Sequence, residues 1–185
     1  MRISLCNEVI AGIDFARQCE FVRAVGYDGI EIAPFTPGEE PHQLSPARRA
    51  EVRRIARDTG VAITGLHYLM VASKGLSVTA ADADVRRSTL AAIRGLCELA
   101  AHLGAPLLVH GSPAQRQLDP GRESEGRKRG IACMAAAAAA AEAAGVVYLL
   151  EPLAREDMGF INTVEEAAAV VRAIGSRARR GRAHT

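Results

Sequence analysis

The stretch Gly145-Val146-Val147-Tyr148-Leu149-Leu150-Glu151-Pro152, running on to Asn162, decides how this chain is read. A glycine is followed by β-branched, aromatic and aliphatic residues that lead straight into a carboxylate. That is the pattern of a buried parallel strand with an acid at its carboxyl end. Folds of the α/β class place their chemistry at such ends, so Glu151 is the leading catalytic candidate. A carboxylate closing an apolar strand is also costly to bury without a partner.

Working outward, the same phrase recurs: an amphipathic helix, a glycine, a short strand, a polar residue. It appears at Gly26 before 28–32, Gly60 before 61–66, Gly104 before 106–109 and Gly145 before 146–150, with a first strand over 2–6. Glycine is expected there as the left-handed residue that ends a helix. Helices are expected to open at Asp14, at Ser45, at Asp82 or Asp84, and at Thr163, where Glu166 completes a capping box. Phe15, Cys19 and Val22, and the series Val85, Thr89, Ala92, Leu96, Leu99 and Leu103, are the buried stripes of two of them. The alanine run 135–141 is strong helix former. The last helix ends at Gly175, and residues 176–185 carry four arginines and no apolar run. The expected organisation is one domain over 1–175 and a basic, disordered tail over 176–185.

Strands alternating with helices fit either an open doubly wound sheet or part of a (β/α)8 barrel. A complete barrel needs about 250 residues. Five β-α units of parallel strands therefore read as a partial (β/α)8 TIM barrel. No loop carries the glycine-rich phosphate-binding patterns that would give a doubly wound sheet its usual purpose.

With 185 residues, 49% of them apolar and 24% charged, the chain has the composition of one soluble domain. The formal charge of +2 owes its sign to the arginine tail, so the body is slightly acidic and no nucleic-acid partner is expected. Neither a signal peptide nor a run of roughly 18 apolar residues is present, so no membrane partner is expected. Cys6, Cys19, Cys97 and Cys133 lack metal-like spacing and read as reduced thiols, which points to the cytoplasm.

Polar residues follow the later strands in turn: Glu31, His67, His110 and Glu151. In a parallel barrel these ends lie on one face, so the four converge on one mouth. Carboxylate and imidazole donors suit a divalent metal ion, Mn, Mg, Co or Zn, with a polyol beside it. Arg116 is an anion and hydroxyl clamp or an ordinary loop charge, and Asp157 is a loop acid.

Taken together, Ser4-Leu5-Cys6-Asn7-Glu8, Gly29-Ile30-Glu31, Gly65-Leu66-His67, Val109-His110-Gly111-Ser112-Pro113 with Gln115-Arg116, and Glu151-Pro152-Leu153 through Phe160-Ile161-Asn162-Thr163 resemble the xylose isomerase-like TIM-barrel superfamily. The match is nearest to its sugar phosphate isomerase/epimerase group and covers residues 2–174. The resemblance implies metal-dependent proton transfer next to the carbonyl of a small sugar or hydroxy-carbonyl substrate. It makes Glu151 both metal ligand and one of two acid/base carboxylates, sets His67 and His110 in the substrate pocket, and puts Asp157 where many relatives carry a substrate-contacting glutamate. The other family ligands, after strands six, seven and eight, would fall beyond Ile174. Impaired metal binding and activity are therefore expected in this form, as is homo-oligomerisation through open strand edges. AP endonuclease-type metal phosphodiesterases share the strand-end pattern but need a basic DNA-binding face. A non-catalytic barrel fragment is the remaining alternative.

Overall fold

The computed structural model describes residues 1–37 and 41–175, so the arginine-rich segment 176–185 lies outside the described residues. Strands β1 (Ser4–Cys6), β2 (Gly29–Ile32), β3 (Ala62–Leu66), β4 (Leu107–His110) and β5 (Val147–Leu150) alternate with helices α1 (Phe15–Val25), α2 (Pro46–Thr59), α3 (Ala83–Leu103), α4 (Glu123–Ala144) and α5 (Val164–Ile174).

Local chemistry sets these boundaries. Asp14 accepts from the Arg17 N–H, Ser45 from Arg48, and Asp82 from Asp84 and Val85. Each such cap contributes about 1 kcal/mol. All five helices end on a left-handed glycine, with φ between 62° and 90°. Thr163 caps α5 as expected, but the Glu166 carboxylate takes the N–H of Asn162 rather than that of Thr163 itself.

The strands pair in the order β1-β2-β3-β4-β5, every neighbour parallel. This order separates the two architectures. A doubly wound sheet reverses direction at a switch point, whereas a strictly sequential order with right-handed crossovers lays every helix on one face. The sheet is thus an arc of a (β/α)8 barrel. Its outer face, through Ile30, Ile32, Leu66 and Leu108, packs on Val22, Val52, Leu96 and Leu99 of the helices to form the core.

One irregularity positions the site. Ile30 pairs with Ile63 but Glu31 pairs with Gly65, so Thr64 is an extra residue in β3. Side chains alternate faces along a strand, and one inserted residue inverts that alternation beyond it. Without the insertion His67 would point at the helices. With it, Gly65 and His67 share the inner face with Glu31.

Candidate active site

Because Ile30 and Ile32 are buried on the outer face, Glu31 projects inward from β2, and Cys6 of β1 stands directly opposite it in register. His67, just past β3, lies between two carboxylates: its Nδ1 is 3.3 Å from Glu31 Oε2 and its Nε2 is 3.5 Å from Glu151 Oε2. Both distances exceed those of well-formed charge-assisted hydrogen bonds. The trio is in loose contact rather than tightly hydrogen-bonded. All three side chains are partly exposed, Glu151 the most at 38%.

Two glycines make this approach feasible. A Cβ on Gly111 would collide with Glu151 Oε2, and one on Gly65 would stand 3.2 Å from Glu31 Oε1. Gly111 therefore holds open the space that the Glu151 carboxylate fills.

Charge follows from the contacts. A hydrogen bond to Cys6 and another to Glu31, with the Glu151 charge adding to them against the cost of partial burial, push the His67 imidazole up to about 10. At neutral pH it is an imidazolium between acids. Tyr68 stacks on it with ring centroids 4.6 Å apart. The Tyr68 phenol is shifted upward, chiefly by the Glu8 carboxylate and then by burial, Cys6 and Glu151. Tyr68 also has φ of 56°, uncommon for a residue with a side chain and a mark of local strain.

A cavity of about 230 Å³ opens here, bounded by His67, Tyr68, Gly111, Pro113, Glu151, Leu153 and Asp157. It is smaller than the roughly 300–1,000 Å³ of drug-sized sites and suits a small polar molecule. A larger groove of about 460 Å³ lies between α3 and α4, but Arg94, Glu98 and alanines line it, with no strand-end acid or imidazole. The chemistry belongs to the smaller cavity.

Of the six residues singled out from sequence, Glu31, His67, Glu151 and Asp157 meet at or beside this mouth. His110 does not. In β4 it alternates in phase with the buried Leu108, and its Nδ1 lies 2.6 Å from the hydroxyl of Tyr148, which pairs with Leu108 on the outer face. It is fully buried among the helices, and that burial, with Arg116 nearby, pushes its imidazole down to about 3, so it is neutral. His110 is thus not among the residues that line this cavity.

Arg116 is also absent from the cavity's lining. It is fully buried and donates only to main-chain carbonyls: Nε and Nη2 to Phe160, Nη2 also to Ile161, and Nη1 to Glu151 at 2.7 Å and His110 at 3.3 Å. It staples the ends of β4 and β5 to the 158–161 turn and has no donor left for a substrate. Phe160 in turn seats against Gly130 of α4, where a Cβ would come within 2.5 Å of its ring.

Cys6, Tyr68 and Gly111 were not anticipated. Cys6 obeys the same strand-end rule as Glu31 and could have been found by applying that rule to β1. Nothing in the sequence signals the backbone of Tyr68.

The model of the xylose isomerase-like TIM barrel family matches residues 19–180. No curated protein sequence matches the chain. Among solved structures, a D-psicose 3-epimerase crystallised with D-fructose superposes with a TM-score of 0.80 at 23% identity, over 96% of this chain and 61% of that one. A D-psicose 3-epimerase from Clostridium cellulolyticum H10 gives 0.78 at 22%, over 96% and 61%. A 3-keto-D-glucoside 4-epimerase from E. coli gives 0.77 at 20%, over 96% and 66%. The chain thus spans under two thirds of the length of these structures, and at these identities the likeness is one of fold.

Proposed function

Since the chain belongs to the xylose isomerase-like TIM barrel family, we propose that its rim site serves an isomerase or epimerase that moves a proton next to the carbonyl of a small sugar or hydroxy-carbonyl compound. The observation that carries this reading is the convergence of Glu31, His67 and Glu151 from three strand ends, with His67 and Glu151 lining one small cavity.

In this reading Glu151 is the base. Its carboxylate borders the cavity, and Gly111 leaves the space it needs to reach a carbon acid. The His67 imidazolium holds that carboxylate and offers positive charge to the oxyanion that develops as the proton leaves. Glu31 fixes the other side of the imidazole, keeping the ring oriented. Asp157, which also lines the cavity, accepts from a substrate hydroxyl in this reading.

The family resemblance also assigns a divalent ion to Glu151, and a partly exposed rim carboxylate is a donor that fits one. When bound, such an ion polarises the carbonyl and stabilises the enediolate charge. The proposed substrate is a sugar of ketose type, taken from the names of the neighbouring structures. The test is incorporation of solvent deuterium next to the carbonyl of ketohexoses in the presence of Mn²⁺, followed by NMR. Exchange that is lost in Glu151→Gln supports the reading. No exchange with any ketose, or exchange that survives the substitution, contradicts it.

A further inference from the structure

Cys6, Glu31 and His67 each offer one ligand atom, and these atoms all lie within 4.8 Å of one another. They come from the ends of three adjacent strands, Cys6 being the direct register partner of Glu31. We propose that this triad is a cation site in its own right, binding a thiophilic divalent ion of the Zn²⁺ type through Cys6 Sγ, a Glu31 carboxylate oxygen and His67 Nδ1. It contains none of the metal ligands that the family resemblance implies, and it shares Glu31 and His67 with the site proposed above.

Three arguments carry it. The donor set is one sulfur, one nitrogen and one oxygen, a combination that selects Zn²⁺ or Co²⁺ over Mg²⁺ or Ca²⁺. The ring geometry is right, because Nδ1 faces Glu31 while Nε2 faces Glu151 at 3.5 Å. Coordination through Nδ1 leaves the Nε2 proton directed at the Glu151 carboxylate, which is the carboxylate–histidine–metal arrangement that orients such ligands. Finally, the field is favourable. Glu31 belongs to the triad and Glu151 stands 3.5 Å from the other ring nitrogen of His67, so two carboxylates flank the position. Three protein ligands would leave such an ion one further position for a water.

Cys6 alone among the four cysteines is not buried, the other three lying in the core. This makes its reactivity a clean reporter. In the full chain, Zn²⁺ is expected to slow alkylation of Cys6 at least about tenfold, and Co²⁺ to produce a thiolate charge-transfer band. Cys6→Ser should abolish that band. Glu31→Gln and His67→Ala should weaken Co²⁺ binding about 10- to 100-fold or more. Circular dichroism of each variant confirms that it is folded, and X-ray absorption on the Zn²⁺-loaded wild type reports one sulfur neighbour even if a variant fails to fold. The proposal is overturned if no charge-transfer band or sulfur neighbour appears, or if Co²⁺ binding survives Cys6→Ser unchanged and disappears in Glu151→Gln. That last result would place the ion on Glu151 and leave the isomerase reading standing.

Discussion

At the scale of single residues, Gly111 and His110 are neighbours with opposite duties. Gly111 faces inward and keeps space for a carboxylate; His110 faces outward and is locked in the core. Gly111→Ala should therefore leave the melting temperature nearly unchanged, because the group it meets is the end of a flexible side chain, while displacing the Glu151 carboxylate. Loss of deuterium exchange without loss of thermal stability is the expected pair of results. His110 acts through pH. The unfolded chain takes a proton on this imidazole near pH 6.5, whereas the folded one resists it until about 3. Below pH 6.5 the unfolded state binds more protons, so this group costs stability progressively as pH falls toward 3, by up to about 1.4 kcal/mol per pH unit. Urea titrations between pH 7 and pH 4 should show that slope, reduced in a double variant with His110→Phe and Tyr148→Phe. His67 has the opposite sign: its raised value adds stability below pH 6.5 that is lost as pH climbs through about 10, a contribution lessened by its partial exposure.

Among the elements, the β-α repeat was legible because each helix end is written as a glycine and each later strand end as a polar residue. Caps at Asp14, Ser45 and Thr163 could be read for the same reason: a short side chain satisfies orphan N–H groups at a predictable offset. What could not be read was the facing of β4. Leu107, Leu108 and Val109 are all apolar, as strands covered on both sides are, so nothing in the pattern says which way His110 turns. The extra residue in β3 is equally silent in the sequence, yet it decides that His67 faces Glu31. Arg116 belongs at this scale too, since it joins two strand ends to the turn before α5. Arg116→Met should leave several buried carbonyls unsatisfied and lower stability by about 1–3 kcal/mol in chemical denaturation. An effect confined to substrate affinity would show instead that the guanidinium serves the cavity.

For the whole molecule, the sequential strand order is the finding that turns five repeats into an arc of a barrel. Its outer strands, β1 and β5, have an unpaired edge each among the described residues, and the inner face is only partly covered, with Leu149 of β5 40% exposed. Exposed edges and apolar strand faces favour association. Light scattering on the purified chain should report a dimer or larger species; a monodisperse monomer with a sharp cooperative melt would count against this. Among the described residues no helix is long and apolar enough to cross a membrane.

The account rests on side chains from β2, β3 and β5 meeting at one rim, and the His67 ring reports that meeting directly. A titration of its ring nitrogens by NMR should find the imidazole still protonated at pH 8, with its pKa falling in Glu31→Gln and again in Glu151→Gln. An imidazole that titrates near 6.5 and ignores both substitutions would show that the three groups do not share a site.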